Sequence, residues 1–286
     1  IRDSPRMKIA LIQQRASKDL KDNICRGAAA FRQAAHEGAD LIAYAELAFI
    51  PFLPQLPSGK QPDFRSFSQP VPGPLTEEFT ALAKRHSVVV VLNLFERDGD
   101  RTYDSSPVID ADGKILGVTR MIHIMEDQGF HEQGYYAPGN NKSFVYETEA
   151  GRVGVAICYD RHFPEYMRGL GLLDAQIVVV PQAGILDEWG DGVYEGELQI
   201  ASLQNGYFAA LVNRVGAEEI LHFSGESFVT DPSGKVIARA PRDKDHILYA
   251  DCDFDLIPKS HARRHFFPDR RPEVYCLLGL TSKKKD

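Results

Sequence analysis

Cys158 stands at an abrupt change of character. In "GVAICYDRHFPEYMRGL" (154–170) an apolar, strand-like run ends at the cysteine. A charged stretch follows at once, and a helical pattern begins near Pro164. A buried strand would be satisfied there by Val or Ile. The end of a core strand opens into the crevice where layered α/β proteins bind ligands, which suits a nucleophile. The next backbone N–H, that of Tyr159, is placed to face a developing oxyanion. A helix N-terminus, with Arg161 and His162 nearby, favours the thiolate. The competing reading is a structural thiol, since free cysteine packs as a small hydrophobe.

A nucleophilic thiol needs a group to take its proton. Glu46 closes the apolar run "LIAYAELAF" (41–49). Burial there would raise its pKa and suit it to general-base work; a strand-end carboxylate reaching water is the alternative. Glu132, in the aromatic and Gly-rich "GFHEQGYYAPG" (129–139), is a third candidate, as a pocket wall or as a surface-loop acid.

The elements that must position these residues follow from periodicity. "MKIALIQ" (7–13) reads as a strand. From Ser17 onward Leu20, Ile24, Ala28, Phe31 and Ala35 recur at spacings of three and four, predicting a helix that Gly38 ends. "DLIAYAE" (40–46) is a short strand, 51–74 a Pro/Gly-rich loop, and Thr76 to Arg85 a helix. "SVVVVLNLF" (87–95) reads as one core strand covered on both faces. "VIDADGKILG" (108–117) and "VTDPSGKVIA" (229–238) share one frame and each predicts a hairpin. They are either two ordinary hairpins or matching parts of two pseudo-symmetric halves. A hairpin over 143–158, a helix over 164–172, a strand over 175–182, a helix near 193–206 and strands at 208–213 and 247–253 complete the alternation. The pattern predicts an α/β fold with mixed strands, in two sheets covered by helices. No composition break marks a linker, so 7–275 reads as a single domain. Residues 1–6 read as a leader or appended remnant and 276–286 as a C-terminal tail, with the chain after Pro258 wrapping the surface or a partner subunit.

The bulk numbers exclude several classes. At 286 residues and 43% hydrophobic the chain can bury a large core. Its net charge is −7, and the basic pairs Arg263-Arg264 and Arg270-Arg271 and the run Lys283–Lys285 are short, which argues against a nucleic-acid partner. No apolar run approaches the roughly 18 residues of a membrane span, and the opening reads as a strand rather than a signal peptide. Cys25, Cys158, Cys252 and Cys276 are scattered without a CxxC pair, as expected of a reduced, cytoplasmic protein. His261 and His265 have helical metal-ligand spacing, but Arg263 and Arg264 would repel a cation, so no metal is expected. "GDGVYEG" (190–196) lacks the frame of a dinucleotide site and there is no P-loop, so no cofactor is expected.

"YAELAF", "TRMIHI", "GFHEQGYYAPG", "GVAICYDRHFPE", "VVVPQA", "NRVG", "FSGESFVTDPSG" and "RRPEVY" fall in the order and spacing of the nitrilase, or carbon–nitrogen hydrolase, superfamily. The resemblance runs from about Met7 to about Tyr275 and is strongest to the branch that cleaves amides and N-carbamoyl amines. It implies a four-layer αββα sandwich with a Glu-Lys-Cys triad. Glu46 matches the general base, Cys158 the nucleophile and Glu132 a supporting glutamate, and the N–H of Tyr159 falls in the oxyanion hole. It also implies a homodimer, paired near the helix after the nucleophile, and in some members higher assemblies. His123, Arg161 and Trp189 are expected pocket residues. Arg161 either pairs with an anionic substrate or forms a surface salt bridge, and Trp189 either rims the pocket or packs.

One departure matters. The family's lysine, two residues before a histidine, falls on Met121 of "TRMIHI" (119–124). Methionine brings neither charge nor an N–H donor, and losing one oxyanion donor costs about 3–4 kcal/mol, or 10²–10³ in rate. Arg120, His123 and Lys142 are the sequence candidates for a replacement cation. Smaller departures are Ala45 and Met125, where the family often has proline. The expected activity is cysteine-dependent hydrolysis of a linear amide or N-carbamoyl amine through a thioester, releasing ammonia. The alternatives are a catalytically impaired binding or scaffold protein and a nitrile hydrolase.

Overall fold

The first apolar run becomes β1 (Arg6–Gln13), and Asp19 rather than Ser17 opens α1 (Leu20–His36). The Asp19 carboxylate accepts the Asp22 N–H at 3.0 Å, capping the helix, while the Ser17 hydroxyl is spent outside it, accepting the Asp19 N–H at 3.1 Å. The computed structural model describes residues 6–278; of the leader expected over 1–6 only Arg6 is described, as the first residue of β1, and of the tail expected over 276–286 only 276–278, while the rest of both lies outside the described residues. Next come β2 (Leu41–Tyr44) and α2 (Pro74–His86).

The single strand expected over 87–95 is broken into β3 (Val89–Val91) and β4 (Leu94–Asp98). Both pair along β5 (Arg101–Ile109), Val90 opposite Ile109 and Leu94 opposite Ser105. The break falls at Leu92-Asn93 because the buried Asn93 amide makes side-chain bonds instead of continuing the ladder. Its Oδ1 accepts the Leu47 N–H at 2.7 Å, and its Nδ2 donates to Asp104 at 2.6 Å and to Ser106 at 3.2 Å. Then follow β6 (Ile115–Arg120) and a small hairpin of β7 (Glu126–Asp127) and β8 (Phe130–His131).

The second half opens with β9 (Val145–Thr148) and β10 (Gly151–Val155), then α3 (Pro164–Leu172), β11 (Ile177–Gln182), α4 (Val193–Asn205) and β12 (Phe208–Asn213). Gly206 ends α4 in the left-handed conformation (φ 67°), which lets β12 start two residues later. A second small hairpin, β13 (Val215–Ala217) with β14 (His222–Ser224), precedes β15 (Phe228–Thr230), β16 (Val236–Arg239) and β17 (His246–Asp253).

Two sheets result, and their topologies match. Each has three parallel strands at its centre, β1-β2-β3 in one and β10-β11-β12 in the other. Each carries one antiparallel strand on the near side, β17 on β1 and β9 on β10. Each ends in an antiparallel hairpin on the far side, β5–β6 and β15–β16. Helices α1 and α2 link the first trio, α3 and α4 the second. The two similar hairpin sequences therefore occupy equivalent places in pseudo-symmetric halves.

The sheets face each other, with β1 and β2 against β12 and β2 against β11. Side chains alternate faces along a strand. In β11, Ile177 and Val179 join the core between the sheets, while Val178 and Val180 join the layer under α3 and α4. Phe208 and Ala210 divide from Ala209 and Leu211 in the same way along β12. Burial on both faces is why these strands read as unbroken apolar runs. Helices α1 and α2 cover the first sheet, giving the αββα order. There Phe79 packs its ring 5.2 Å from Tyr44, 5.3 Å from Phe49 and 6.2 Å from Phe31. Phe79→Ala is expected to lower stability by about 3–5 kcal/mol, read as an earlier urea midpoint; an unchanged midpoint would show that α2 docks by other contacts.

Candidate active site

Cys158 and Glu46 sit just past the ends of central strands in opposite halves. Beyond β10 the chain enters a short 3-10 turn over Cys158–His162. Cys158 itself has φ 43°, a left-handed conformation that an L side chain rarely adopts. Leu47, directly after Glu46, has φ 45°. Side chains hold that second bend. Asn93 takes the Leu47 N–H, and the buried Arg214 donates to the carbonyls of Glu46 (2.9 Å), Leu47 (2.5 Å) and Ile50 (3.1 Å). Arg214 also pairs with Glu218 and rests on the rings of Phe223 and Phe52. Leu47, Phe52, Phe95, Phe130, Tyr135, Tyr136 and their neighbours form an apolar cluster of their own, distinct from the two sheet cores.

The polar groups gathered here are mostly acids. Glu46, Asp104, Glu132 and Asp160 are all fully buried. Burial pushes the Glu46 carboxyl well above the usual range, and the neighbouring charges of Asp104 and Glu132 push it the same way. Neither of its oxygens has a conventional hydrogen bond among the described residues, and its side-chain neighbours are Asp104 and the Cys158 thiol. Glu132 Oε2 accepts the Met125 N–H at 3.0 Å while Oε1 is unpartnered, and burial again raises its pKa. Burial pushes Asp104 up to about 7. Burial and the two glutamates hold the Cys158 thiol well above its ordinary value, opposed by the backbone N–H of Ala183. The resting sulfur is therefore a thiol rather than a thiolate.

The structure thus brings Glu46, Glu132 and Cys158 together, with Tyr159 half-buried beside them. Met121 is fully buried just after β6, its N–H donating to the Asp104 carbonyl at 3.0 Å. None of the three sequence candidates bonds to Glu46, Asp104 or Glu132 among the described residues. Arg120 lies opposite Ser105, one residue out of phase with Asp104, so it points to the other face of the sheet, where it binds Glu96 (2.6 Å) and Asp98 (2.8 Å). His123 is held by Asp160 (Nδ1 to Oδ1, 2.7 Å) and stacks on Phe163. Lys142 is exposed.

Arg161 forms a salt bridge, as one of its two readings expects, though not a surface one. Its guanidinium is buried and meets Glu197 (3.0 Å) and the Tyr194 carbonyl (3.2 Å), both on α4, while its Nε has no hydrogen-bond partner among the described residues. Trp189 is 40% exposed. It borders a cavity of about 230 Å³ together with Glu188, Tyr194, Glu226 and Arg239. Tyr194 links that cavity to the cluster, since its hydroxyl feels the charges of Arg161, Glu188 and Cys158.

Sequence reasoning missed Asp104, Asn93, Tyr136 and Arg214. The hydroxyl of Tyr136 is buried without a partner and lies in the field of Asp104, Glu46 and Glu132. One signal was available for Asp104: Asp104, Ser105 and Ser106 are consecutive polar residues inside a strand buried from Thr102 onward.

The model of the carbon-nitrogen hydrolase family matches residues 8–261. This chain belongs to the carbon–nitrogen hydrolase family. Among its relatives, a citrullinase of Francisella tularensis subsp. tularensis is 33% identical over 279 residues, covering 94% of this chain and 96% of that protein. An N-carbamoylputrescine amidase of Arabidopsis thaliana is 31% identical over 285 residues, covering 94% of each. A solved carbon-nitrogen hydrolase from Helicobacter pylori G27 superposes with a TM-score of 0.87 at 29% identity, covering 96% of this chain and 98% of that one. The αββα sandwich is this family's fold, and the chain is a hydrolase. No helix of the described residues is long and apolar enough to cross a membrane.

The raised carboxyls of this carbon–nitrogen hydrolase bind protons more tightly when folded than when unfolded. Their stabilising contribution is complete below the unfolded glutamate value of about 4.3. It is lost as the pH climbs through the higher folded values, by about 1.4 kcal/mol for each pH unit that separates folded from unfolded. Glu132→Gln keeps an acceptor for the Met125 N–H but cannot ionise. Its melting temperature relative to wild type is expected to rise between about pH 5 and about pH 8; a pH-independent difference would contradict the raised Glu132.

Proposed function

We propose that this chain is a cysteine-dependent hydrolase of a linear amide or, with more support, an N-carbamoyl amine. The observation that carries this reading is one buried cluster holding the strained Cys158 with Glu46 and Glu132. In this reading the Cys158 thiol proton passes to Glu46 as sulfur attacks the carbonyl carbon. The two events are coupled because the resting thiol is neutral. The Tyr159 N–H receives the oxyanion. Glu46 hands the proton to the leaving nitrogen, the C–N bond breaks, ammonia departs and a thioester remains. Glu46 then takes a proton from a water that attacks this thioester (a thiocarbamate where the substrate is a ureide); the C–S bond breaks, the carboxylic or carbamic acid leaves, and Glu46 returns the proton to the Cys158 sulfur. Glu132, anchored by the Met125 N–H, supports Glu46.

The citrullinase and N-carbamoylputrescine amidase names favour a ureido group as the reacting end. Asp187, Glu188, Asp191, Glu195 and Glu226 line the cavity beside Trp189, against only Arg239 and Arg242. Both arginines are already paired with acids there, Arg239 with Glu195 at 2.9 Å and Arg242 with Glu226 at 3.0 Å. That balance favours a substrate with a basic far end. The exposed Leu172, Val193 and Ile200 on α3 and α4 support pairing of two copies through that face. A cytoplasmic location agrees with the free Cys25, Cys158 and Cys252.

Met121 favours a second reading, a binding or scaffold protein on the same fold, because the cluster has no lysine. Ammonia release from a panel of N-carbamoyl amines, linear amides and nitriles separates these. The expected result is release from ureides or amides, with an acyl adduct on Cys158 by mass spectrometry. Cys158→Ala should abolish release, and Glu46→Gln should cut it by at least about 10². Release from nitriles alone would assign the alternative substrate. Silence across the panel, with activity gained in Met121→Lys, would establish the scaffold reading.

A further inference from the structure

Asp104 is the buried acid that this reaction leaves without a task. One amide fixes its place. Asn93 Nδ2 donates to Asp104 Oδ1 at 2.6 Å, and Asn93 Oδ1 accepts the N–H of Leu47, the residue after Glu46, at 2.7 Å. The Asp104 carboxyl is thereby tied to the bend that carries Glu46. Asp104 Oδ2 and both Glu46 oxygens remain buried without a conventional partner. Across the ladder stands Met121, joined through its N–H to the Asp104 carbonyl at 3.0 Å. Directly opposed residues of an antiparallel pair send their side chains to the same face. An apolar thioether therefore sits beside this carboxyl, at the position where the resemblance puts a lysine.

The charges facing Asp104 come from several elements. Glu46 follows β2, Glu132 follows β8, the Cys158 thiol and Asp160 lie in the turn after β10, Tyr136 is in the aromatic loop, and Arg214 follows β12. Asp160 is satisfied by His123 Nδ1 and by the N–H groups of Ile122 and His123. Arg214 is committed to Glu218 and three carbonyls. Neither makes a bond to the carboxyl of Glu46 or of Asp104 among the described residues. Arg214 acts on Asp104 only through its field, and two adjacent, desolvated carboxyls with no cation bonded to either resist being ionised together.

We propose that Glu46 and Asp104 hold one proton between them, and that this shared proton does the neutralising work of the lysine that Met121 displaces. Asp104 is then a positioning residue, setting the protonation of the Glu46 base. The inference rests on the reading of Cys158 as nucleophile and Glu46 as its base. It has a direct chemical consequence. With both carboxyls protonated, nothing accepts the thiol proton. Once the pair gives up its first proton, a carboxylate is available and Cys158 becomes reactive. Burial places that loss around neutrality. The apparent value belongs to the pair rather than to either acid.

Alkylation of Cys158 by iodoacetamide, followed by mass spectrometry across pH on the full chain, reads this without any substrate. Wild-type reactivity should rise through a midpoint near neutrality. Asp104→Asn removes the acid that shares the remaining proton, so the midpoint should move up, whereas Met121→Lys adds an ammonium and should move it down by about one pH unit or more. The double substitution should fall between the two single variants, because both act on one proton. Met121→Leu alters packing without charge and should leave the midpoint in place. Midpoints in Asp104→Asn and Met121→Lys that match wild type would overturn the shared proton. If Asp104→Asn does not fold by circular dichroism, Met121→Lys decides alone. The expected midpoints in a protein that releases no ammonia would uphold the pair and overturn only the hydrolase reading.

Discussion

An unpaired carboxylate in a dry interior costs several kcal/mol, and this molecule places three acids with unpartnered oxygens around one sulfur. That constraint governs the rest of the site. It raises the ionisation of Glu46, Glu132 and Asp104, and through them it keeps the Cys158 sulfur protonated at rest. No cation is bonded to the carboxyls of Glu46, Asp104 or Glu132 among the described residues; the buried Arg214 acts on Asp104 through its field while pairing with Glu218. The apolar cluster of Phe52, Phe95, Phe130 and Tyr136 adds the matching apolar surroundings. Low polarity strengthens each remaining interaction among the acids.

Such a cluster needs a stiff frame, and the two halves provide it by similar means. Asn93, past the end of β3, accepts the Leu47 N–H beyond β2. Asn213, at the end of β12, accepts the Gly184 N–H beyond β11 at 2.8 Å. In both halves an asparagine after the third central strand fixes the loop after the second. Arg214 adds a clamp across the halves, from the second to the carbonyls around Glu46 in the first. The left-handed conformations at Leu47 and Cys158 persist because such bonds over-determine the surrounding backbone.

Much of this was legible in the sequence. The doubly covered strands, the helix over 164–172 and the acid-ended run before Glu46 all follow from periodicity, and the order of eight motifs carried the family. The break at Asn93 was not legible, because "SVVVVLNLF" is apolar enough to hide one polar residue whose partners lie 46 residues back and 11 ahead. Asp104 was missed for a related reason. Its meaning depends on which strand faces it, and strand pairing is set by contacts far apart in sequence. The candidate cations fail for reasons that only the pairing of elements reveals. Arg120 is adjacent to Met121 in the chain, but alternation along β6 sends it to the opposite face. Arg161, read in the sequence as a partner for an anion or as a surface salt bridge, is instead buried, with α4 folded over it and supplying Glu197.

The central claim is that a proton, rather than an ammonium, balances the acids around Cys158. Infrared spectroscopy of the folded protein at neutral pH measures it directly, through the carbonyl stretch of protonated carboxylic acids and its displacement in heavy water. The account predicts a buried carboxylic-acid band in wild type that loses intensity in Met121→Lys and changes frequency in Asp104→Asn, where the proton is no longer shared. A wild-type spectrum without that band would mean that all the acids are ionised, and would contradict the account.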